Sequence, residues 1–504
     1  MSALEGVLYG FTVALAPANL LACFAGVLIG TVVGVLPGIG PIGAMALLLP
    51  STFALTPTSA LIMFAGIYYG AMYGGSTSSI LVNVPGEAAS VVTCLDGYQM
   101  ARRGRAGAAL AVAAVGSFVA GTLGVLGLVV VGVGLAGAAL RFGPPEYCAL
   151  TVMGLVVLSR LSGGSLARAG VMVAVGLALG TVGMEPMSGV SRFTFGAVAL
   201  AQGIELVPVA MGLFGIAEIL ALAETRGTLP RVASVRLRAL LPTREEWRRA
   251  VPAMLRGSGL GFLVGLVPGP AAVLSTFLSY AVERRLARRP EEFGHGAIEG
   301  VAGPEAANNG ATAGALVPLL ALGVPFAPAT ALLLAALVIH GVQPGPLLVS
   351  QHPELFYGVA ASMWVGNAML LILNLPLIGL FVSLLRLPQH LLLAGIVLLA
   401  LVGTYSVNNS LLDLWVLVAM GVVGWGLRKL GFEPALIVLA LVLGPMMEKT
   451  LRQTLFMARG DPWVVLARPL TLAMLLVAAA VVALPPALRA ARRLAPVHAP
   501  ARHP

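Results

Sequence analysis

Gly34-Val35-Leu36-Pro37-Gly38 lies inside an apolar segment of the first half of the chain, and Gly265-Leu266-Val267-Pro268-Gly269 lies inside one in the second half. Proline removes a backbone donor and glycine tolerates conformations that other residues avoid, so each Pro-Gly pair is expected to break a helix. In a bilayer, broken backbone is tolerated only where protein covers it or where it lines a wet cavity. A matched pair of interrupted segments in two halves is the sequence pointer to a transporter's binding site.

The composition places the chain in a membrane. Of its 504 residues, 59% are hydrophobic and 10% are charged, and its mean hydropathy is +0.97, whereas a soluble domain carries about 25% charged residues. Apolar runs such as 108–140, 356–385 and 463–484 reach the ~20 residues that a bilayer span requires. About a dozen such segments occur, some of them short or rich in glycine. The sequence therefore predicts an all-α polytopic membrane protein with broken or re-entrant helices.

The excess of positive charge is explained by orientation in the lipid bilayer. The net charge of +10 comes from cations in short loops between apolar segments, and such loops face the cytoplasm. They do not form the continuous basic face that nucleic acid requires. Cys23, Cys94 and Cys148 lie in or beside apolar segments and fit neither a disulfide framework nor a metal-ligand pattern. We interpret them as packing residues, and we expect no metal site and no cofactor.

The basic loops of the two halves do not fall at matching places. The basic residues at 102–105 follow Gly97-Tyr98-Gln99, but the similar 341–343 lies in a run, 290–385, that contains no lysine or arginine. Conversely, 284–289 is basic after the second Pro-Gly motif, whereas 50–57 after the first carries no charge. Each basic loop of one half therefore matches an uncharged loop of the other. This pattern predicts two inverted-topology repeats, because parallel repeats would give the opposite.

A basic stretch rich in arginine and proline separates the two halves. We predict membrane repeat 1 at 1–224, a cytoplasmic basic linker at 225–249, and membrane repeat 2 with a terminal helix at 250–485. The remaining residues, 486–504, are predicted to form a cytoplasmic tail that is disordered near its proline-rich end.

The first polar cluster follows the first Pro-Gly motif. Gly74, Gly75, Ser76, Thr77 and Ser78 are followed by another hydroxyl and then by Asn83 and Pro85. Hydroxyls and amides coordinate ions, but small and hydroxyl residues are also common packing residues between membrane helices. Four consecutive hydroxyls beside a glycine pair favour a binding site over packing.

The second polar cluster contains Asn308, Asn309 and Thr312 ahead of an apolar run that ends near Pro325. Buried amides demand partners, and a helix N-terminus at this point would offer free N–H groups to an anion. The competing interpretation is an N-cap in a loop. The matched position of both clusters, each after a Pro-Gly break, favours the site.

Four acidic residues are candidates for ion coupling, because a carboxylate inside the membrane is expensive unless it serves a function. Glu87 and Asp96 are close to the basic residues at 102–105, so an interfacial position is the alternative for both. Glu305 follows Pro304 and is expected at a cavity mouth, and Glu218 lies deeper in an apolar segment.

Motifs of several enzyme classes are missing from the sequence. Neither lysine follows a glycine, so there is no Walker A motif, and H-E-x-x-H, G-x-S-x-G and C-x-x-C do not occur. The chain is therefore not expected to be an enzyme. An intramembrane hydrolase would require a reactive nucleophile that a covalent probe could label.

The motifs resemble the large membrane subunit of tripartite tricarboxylate transporters, the TctA family, from near the N-terminus to about Gln453. The stretches that carry the resemblance are Gly34-Val35-Leu36-Pro37-Gly38-Ile39-Gly40-Pro41, 66–76, Asn83-Val84-Pro85-Gly86-Glu87, Arg192-Phe193-Thr194-Phe195-Gly196, 293–309 and Ile339-His340-Gly341-Val342-Gln343-Pro344-Gly345-Pro346.

The resemblance implies a multi-pass permease of the bacterial inner membrane. It implies two partners, a small TctB-like membrane subunit and a TctC-like periplasmic solute-binding protein. Uptake would be driven by Na⁺ or H⁺, and the substrates would be carboxylates such as citrate, other di- and tricarboxylates or aromatic acids. The sequence departs from the family at Val324-Pro325-Phe326, where Pro-Gly is usual, and at Pro268-Gly269-Pro270, where a glycine-rich version is common. Both changes add bulk or stiffness beside the predicted site.

These observations predict a secondary active, cation-coupled uptake permease for carboxylates. An uncoupled channel or a scaffold subunit of a multi-protein complex is the alternative, and uptake against a gradient would separate the two. The candidate substrate and ion ligands are Pro37, Gly38, Gly40, Gly74, Gly75, Ser76, Thr77, Ser78, Asn83, Pro85, Pro268, Gly269, Asn308, Asn309, Thr312 and Pro325, and the candidate coupling acids are Glu87, Asp96, Glu218 and Glu305.

Overall fold

The first half of the chain is almost entirely helical. A computed structural model describes residues 2–36, 40–161, 165–185, 188–224, 241–374, 389–461 and 463–494. The helices of the first half are α1 (Ala3–Ala14), α2 (Pro17–Val35), α3 (Gly40–Leu48), α4 (Pro57–Val82), α5 (Val91–Arg102), α6 (Ala106–Ala139), α7 (Pro144–Leu161), α8 (Leu166–Gly180), α9 (Leu206–Ala210) and α10 (Ala217–Glu224).

Short elements connect these helices. A π-helical turn at Met211–Ile216 joins α9 to α10, and a small antiparallel hairpin pairs β1 (Gly183–Met184) with β2 (Ser191–Arg192). Short 3₁₀ turns lie at Leu49–Ala54, Ala88–Ser90 and Val198–Leu200.

The second half has a similar make-up. A 3₁₀ turn at Pro290–Glu292 lies between its second and third helices. Its helices are α11 (Arg244–Gly265), α12 (Ala271–Leu286), α13 (Glu299–Leu322), α14 (Pro328–Ile339), α15 (Leu348–Gln351), α16 (Pro353–Asn374), α17 (Gln389–Asn408), α18 (Leu411–Lys429), α19 (Ala435–Met457), α20 (Val464–Ala467) and α21 (Pro469–Leu494).

Several helices have the length and composition of membrane spans. Within the described ranges, five helical stretches are apolar enough to cross a bilayer, and several shorter apolar helices accompany them. The protein is therefore an all-α membrane protein. The five stretches are Pro17–Val35, Ala106–Ala139, Leu206–Glu224, Pro353–Asn374 and Leu411–Lys429.

Two helix pairs are packed through stripes of glycine. In the first half, Gly26, Gly30 and Gly34 of α2 lie directly against backbone carbonyls of α4. Because a side chain at these positions would overlap that backbone, only glycine lets the two helices approach so closely. In the second half, α11 packs on α13 in the same way, through Gly257, Gly261 and Gly265. The last glycine of each stripe is the first residue of the Pro-Gly motif quoted at the outset.

Each half also contributes one long helix to the other. Helix α6 of the first half packs mainly on α13 and on α11. Helix α16 of the second half packs on α4 and α2. The exchange is reciprocal, and it buries the two glycine-packed pairs beneath helices of the opposite half.

The second Pro-Gly motif interrupts the helical backbone, as predicted. Helix α11 ends at Gly265 and α12 begins at Ala271, and the buried Gly269 between them has φ +152°. Its backbone N–H donates to the carbonyl of Phe326 at 3.0 Å, so the break is covered by protein. The first motif separates α2 from α3, but Pro37 and Gly38 lie outside the described residues.

Two of the predicted segment boundaries fall near described helix ends. Residues 225–240 of the predicted linker lie outside the described residues, and α11 begins within its remaining part, at Arg244. Helix α21 extends to Leu494, beyond the start of the predicted tail at 486.

A network of ion pairs covers the ends of α11, α12 and α13. Arg249 pairs with Glu292 at 2.6 Å and with Glu299 at 2.7 Å, and Arg105 of the first half pairs with Glu246. Burial acts to raise the pKa of Glu292, but hydrogen bonds and charge from Arg249 and Arg289 outweigh it and lower the pKa below its ordinary value. The carboxylate is therefore ionised at neutral pH. The two Arg249 pairs tie together elements of the second half, and the Arg105–Glu246 pair joins the two halves.

Candidate functional site

A buried carboxylate lies where the two halves meet. Glu305, in the first part of α13, accepts hydrogen bonds from the hydroxyls of Ser76 in α4 and Thr93 in α5. All three residues are buried. Each carboxylate oxygen of Glu305 thus receives a donor from the first half, although the residues are more than 200 positions apart in the sequence.

The glycine stripes explain why these side chains can meet. Gly74 of α4 lies against the backbone of Thr31, and Gly310 of α13 lies against the backbone of Ser258. With α2 and α11 packed so closely on one side, α4 and α13 present their polar positions to the space between the halves. Helix α5 contacts both α4 and α13, and it brings Thr93 to the same place.

The two asparagines continue this polar centre along α13. Asn308 donates its amide N–H to Glu87 at 3.0 Å, and Asn309 donates to Ser117 at 2.7 Å and to the carbonyl oxygen of Glu305 at 3.2 Å. Glu87 also caps the short turn that follows it, by accepting from the N–H of Ala89 at 2.8 Å. The side-chain carbonyl oxygens of both asparagines are buried without a hydrogen-bond partner. They are acceptors that a ligand could use.

A small cavity, with room for about one water molecule, adjoins the polar centre. Ser76 and Ser117 lie in its wall, and these are the residues that bond Glu305 and Asn309. Its remaining lining combines polar with small apolar side chains: Tyr73, Thr77, Leu110, Ala113, Ala114 and Asn374.

A hydrogen-bonded pair joins the two halves beside this cavity. Tyr73 donates its hydroxyl to Asn367 of α16, and Asn367 in turn donates to the carbonyl of Phe118 at 2.7 Å. Asn367 also lines a second small cavity, next to Tyr69. The pair therefore touches two cavities, one through each of its members.

Asp96 is a structural contact between the halves. Its carboxylate accepts from the N–H groups of Gly296 and Ala297 at 2.7 and 2.8 Å, and from the hydroxyl of Tyr280 at 2.9 Å. The residue is buried. Its acceptor positions are used in holding the loop ahead of α13, so Asp96 is separate from the Glu305 centre.

Glu218 lies elsewhere in the molecule. It pairs with Arg428 of α18, on the part of the fold formed by α10 and α18. An ionised carboxylate with a guanidinium partner is the ordinary arrangement of a structural ion pair. The structure does not bring Glu218 to the Glu305 centre.

The other predicted ligands lie in several places. Thr312 donates to the carbonyl of Asn308 at 3.0 Å, and Ser78 donates to that of Gly75 at 3.1 Å. Asn83 ends α4 in the left-handed conformation with φ +57° and is exposed. Buried or half-buried positions are taken by Gly40, Gly74, Thr77, Pro85, Pro268, Gly269 and Pro325.

The expected helix N-terminus at Asn308 and Asn309 is wrong, and so is the alternative of an N-cap in a loop. Helix α13 begins earlier, at Glu299, and runs through both asparagines. Pro304 and Pro318 lie inside the same helix. Proline is tolerated within membrane helices because neighbouring groups satisfy the freed carbonyls. The amide side chains, and not a helix N-terminus, are therefore the polar groups that α13 offers.

Sequence reasoning missed Thr93, Ser117 and Asn367, and it did not select Tyr73 as a site residue although Tyr73 belongs to the motif at 66–76. An isolated polar residue in a membrane helix is ordinarily interpreted as a packing residue. For Thr93, its position one turn ahead of Gly97 and on the same helix as Asp96 was the available signal.

The fold and the site define a class of protein: a multi-pass helical membrane protein with a buried polar centre between its two halves. The sequence pattern of the "Tripartite tricarboxylate transporter TctA family" matches residues 20–439, most of the chain. The chain belongs to the TctA family. It is accordingly a component of a tripartite tricarboxylate transporter system, in which TctA proteins are the large membrane subunits.

Two relatives come from Agrobacterium vitis. The chain is 48% identical over 494 residues to the "Uncharacterized 52.8 kDa protein in TAR-I ttuC' 3'region", with 98% of each chain covered. It is 46% identical over 215 residues to the "Uncharacterized protein in TAR-II ttuC' 3'region", which covers 43% of this chain and 89% of that protein. No solved structure matches the chain.

Proposed function

We propose that this chain is the permease of a secondary active, cation-coupled uptake system for di- and tricarboxylates. The observation that carries the proposal is the buried Glu305 carboxylate, bonded from the opposite half and adjoining a polar cavity. Buried acids in membrane transporters mark ion and substrate pathways. In this proposal the cation and the carboxylate substrate bind between the two halves, near the middle of the bilayer.

The proposal includes two inverted-topology repeats that together contain about a dozen membrane segments. The matched glycine stripes before each Pro-Gly motif and the reciprocal packing of α6 and α16 support a twofold relation between the halves. Asn83 and Gly323 strengthen the match, because each ends its helix in the left-handed conformation and is followed by Val-Pro.

The ion pairs agree with this topology. Each of four pairs joins two helix ends that the repeat assigns to the same side of the membrane. On the basic, inner side these are Arg428–Glu218 and Lys429–Glu224, and on the outer side they are Arg192–Glu448 and Arg468–Glu146.

The chemistry of the site suits a carboxylate. The hydroxyl of Thr77 lies in the cavity wall and can donate to a substrate oxygen, whereas the hydroxyls of Ser76 and Tyr73 already donate to Glu305 and Asn367. A bound cation would screen the negative charge of the substrate from the Glu305 carboxylate. In this arrangement, substrate and cation each make the binding of the other more favourable, which is the physical basis of symport.

The proposed surroundings follow from the family. A small membrane subunit binds the lipid-facing surface, and a periplasmic solute-binding protein delivers the substrate to the outer side. Both partners place the complex in the inner membrane of a bacterium.

Uptake by proteoliposomes tests the proposal. The chain is purified with its small subunit, reconstituted, and supplied with its solute-binding protein loaded with radioactive citrate or another di- or tricarboxylate. We expect accumulation above the external concentration that depends on an imposed Na⁺ or H⁺ gradient and collapses when an ionophore is added. Passive equilibration insensitive to the ionophore would contradict the proposal and favour an uncoupled channel.

Two variants test the site itself. Ser76→Leu and Asn308→Leu place apolar bulk at the polar centre, so uptake should fall to background while insertion into the membrane is retained. Ser159→Leu is a matched control, because Ser159 of α7 is buried and, among the residues that the structure describes, its hydroxyl bonds only the carbonyl of Leu155 in its own helix. Normal uptake by both site variants would contradict the assignment of the site.

A further inference from the structure

Glu305 is a buried carboxylate without a counter-ion among the residues that the structure describes. The nearest acid, Glu87, adds repulsion, because it bonds Asn308 less than one turn farther along α13. Hydroxyl donors stabilise a carboxylate, but they do not neutralise it. An unneutralised buried carboxylate with a second acid nearby indicates that a positive charge belongs beside it in part of the protein's working cycle.

The neighbouring side chains offer oxygen ligands. Ser76 lies 3.0 Å from the carbonyl oxygen of Met72 as well as near Glu305. Its proton can therefore turn to Met72, and its lone pairs then face the carboxylate. The carbonyl oxygens of Asn308 and Asn309 are buried and unpaired within a turn of Glu305. Each of these atoms is an acceptor in need of a positive partner.

We propose that this centre is a sodium site, in which Glu305, Ser76 and Thr93 hold the ion and the amide oxygen of Asn309 completes its surroundings. The inference rests on the proposed function and goes further, because it names the coupling ion and its ligands. Hard cations take carboxylate, hydroxyl and carbonyl oxygens as ligands. One carboxylate balances one monovalent charge.

A proton serves this arrangement less well. Both oxygens of Glu305 already accept hydrogen bonds, which is the pattern of an ionised carboxylate. Protonation is compatible with the two hydroxyls, because Glu305 could then donate to Ser76 while Ser76 turns its own proton to the carbonyl of Met72. It would leave both asparagine oxygens unpaired, however, whereas a cation among these groups satisfies the carboxylate and an amide oxygen together.

The position of the site links ion binding to the relative arrangement of the two halves. Ser76 and Thr93 belong to the first half, and Glu305 and Asn309 belong to the second. A bound cation therefore draws α4 and α5 towards α13, and its departure leaves Glu305 uncompensated between them. Sodium occupancy would thus favour one arrangement of the halves over the other.

Direct binding to the purified chain in detergent tests this inference without substrate or partner proteins. We expect the melting temperature to rise by several degrees between 0 and 100 mM NaCl at constant ionic strength, with choline chloride as replacement. Potassium should give a smaller shift. Radioactive ²²Na⁺ should bind at about one ion per chain and be displaced by unlabelled Na⁺.

Variants identify the ligands. Ser76→Ala and Thr93→Val should weaken sodium binding at least about tenfold, Thr93→Ser should restore it, and Glu305→Gln should abolish it. The matched controls are Ser159→Ala and Thr454→Val, buried hydroxyls that bond only their own helices. If Glu305→Gln does not fold, the two hydroxyl variants still decide the assignment.

Two outcomes would overturn the inference. One is a wild-type chain that binds no ²²Na⁺ and whose stability responds to pH but not to sodium, which would assign the centre to a proton. The other is unchanged sodium binding in all three ligand variants. If either outcome is accompanied by ion-coupled uptake in proteoliposomes, the proposed function remains intact. The opposite result, in which sodium binds as expected but no uptake occurs, would contradict only the proposed function.

Discussion

Asp96 joins the two halves through three hydrogen bonds to one carboxylate. Replacing it by alanine leaves the N–H groups of Gly296 and Ala297 and the hydroxyl of Tyr280 without their acceptor. Because buried unpaired donors are expensive, we expect Asp96→Ala to destabilise the protein by about 3–5 kcal/mol. Tyr280→Phe, which removes one donor, should cost about 1–2 kcal/mol. Denaturation of both variants in the same detergent measures the effect, and wild-type stability of Asp96→Ala would contradict this role.

Two glycines in α11 give a second prediction, because replacing each of them by alanine should have a different effect. A methyl group at Gly261 would overlap the backbone carbonyl of Ala307, whereas at Gly259 it would meet open space. Gly261→Ala should therefore separate α11 from α13 and lower the melting temperature. Gly259→Ala should leave stability unchanged or raise it by up to about 1 kcal/mol, because alanine is the better helix former. Equal melting temperatures for the two variants would mean that close packing at Gly261 does not support the fold.

The sequence indicated many of the site residues but not their partners. Ser76, Asn308 and Glu305 could be selected because hydroxyls, amides and acids are rare in apolar segments. The hydrogen bond between Ser76 and Glu305 joins residues 229 positions apart, and nothing in one sequence specifies such a pairing. Thr93 was missed for the same reason, since a single threonine in a helix acquires meaning only from the carboxylate beside it.

Helices α11 and α12 are joined by an ion pair near the end of α12 that lies away from the Pro-Gly break. The Nε atom of Arg256 lies 2.9 Å from Glu283, whose side chain is only 2% exposed. Arg256→Gln would leave this carboxylate buried without its charge partner, so we expect a loss of about 3 kcal/mol. The double variant Arg256→Met/Glu283→Leu should recover most of that loss, because it removes the uncompensated charge. A double variant less stable than Arg256→Gln would contradict this explanation.

At the level of helices, the rule that proline breaks a helix succeeded at one place and failed at another. Helix α11 does end before Pro268, where two glycines flank the motif's apolar residues and the chain turns back into α12. Helix α13 instead continues through Pro304 and Pro318. Both prolines are buried among tightly packed neighbours, and that packing holds the helix together despite the missing backbone donors. Because sequence alone does not reveal such neighbours, the start of α13 could not be predicted.

At the scale of the whole molecule, the two Pro-Gly motifs and the charge pattern were the grounds for proposing two related halves. They did not reveal that α6 and α16 are exchanged between them. The exchange places the polar residues of α4, α5 and α13 in a common interior, so neither half contains a complete site. A separately expressed half should therefore neither bind sodium nor support uptake, whereas two coexpressed halves should regain both. Binding by either half alone would contradict a shared site.

The proposed inverted repeat makes a prediction about the side of the membrane on which particular residues lie. Phe53 is in the uncharged turn after α3 and lies near His340, with ring centroids 6.5 Å apart. Arg285 is in the last turn of α12, within the basic region. Positive charge marks the cytoplasmic side, so a thiol reagent that cannot cross membranes should label Phe53→Cys in intact spheroplasts. It should label Arg285→Cys only after permeabilisation.

The experiment requires a background in which Cys23, Cys94 and Cys148 are replaced by alanine, so that only the introduced cysteine is labelled. The side chains of both test residues, Phe53 and Arg285, are exposed. His340→Cys and Arg288→Cys supply a second pair, since each belongs to the same predicted side as its neighbour. Labelling of all four positions from one side would rule out inversion, and the two halves would then be parallel copies. The sodium site could survive that result, because its ligands depend on contacts between α4, α5 and α13, but a mechanism that alternates access through inverted repeats could not.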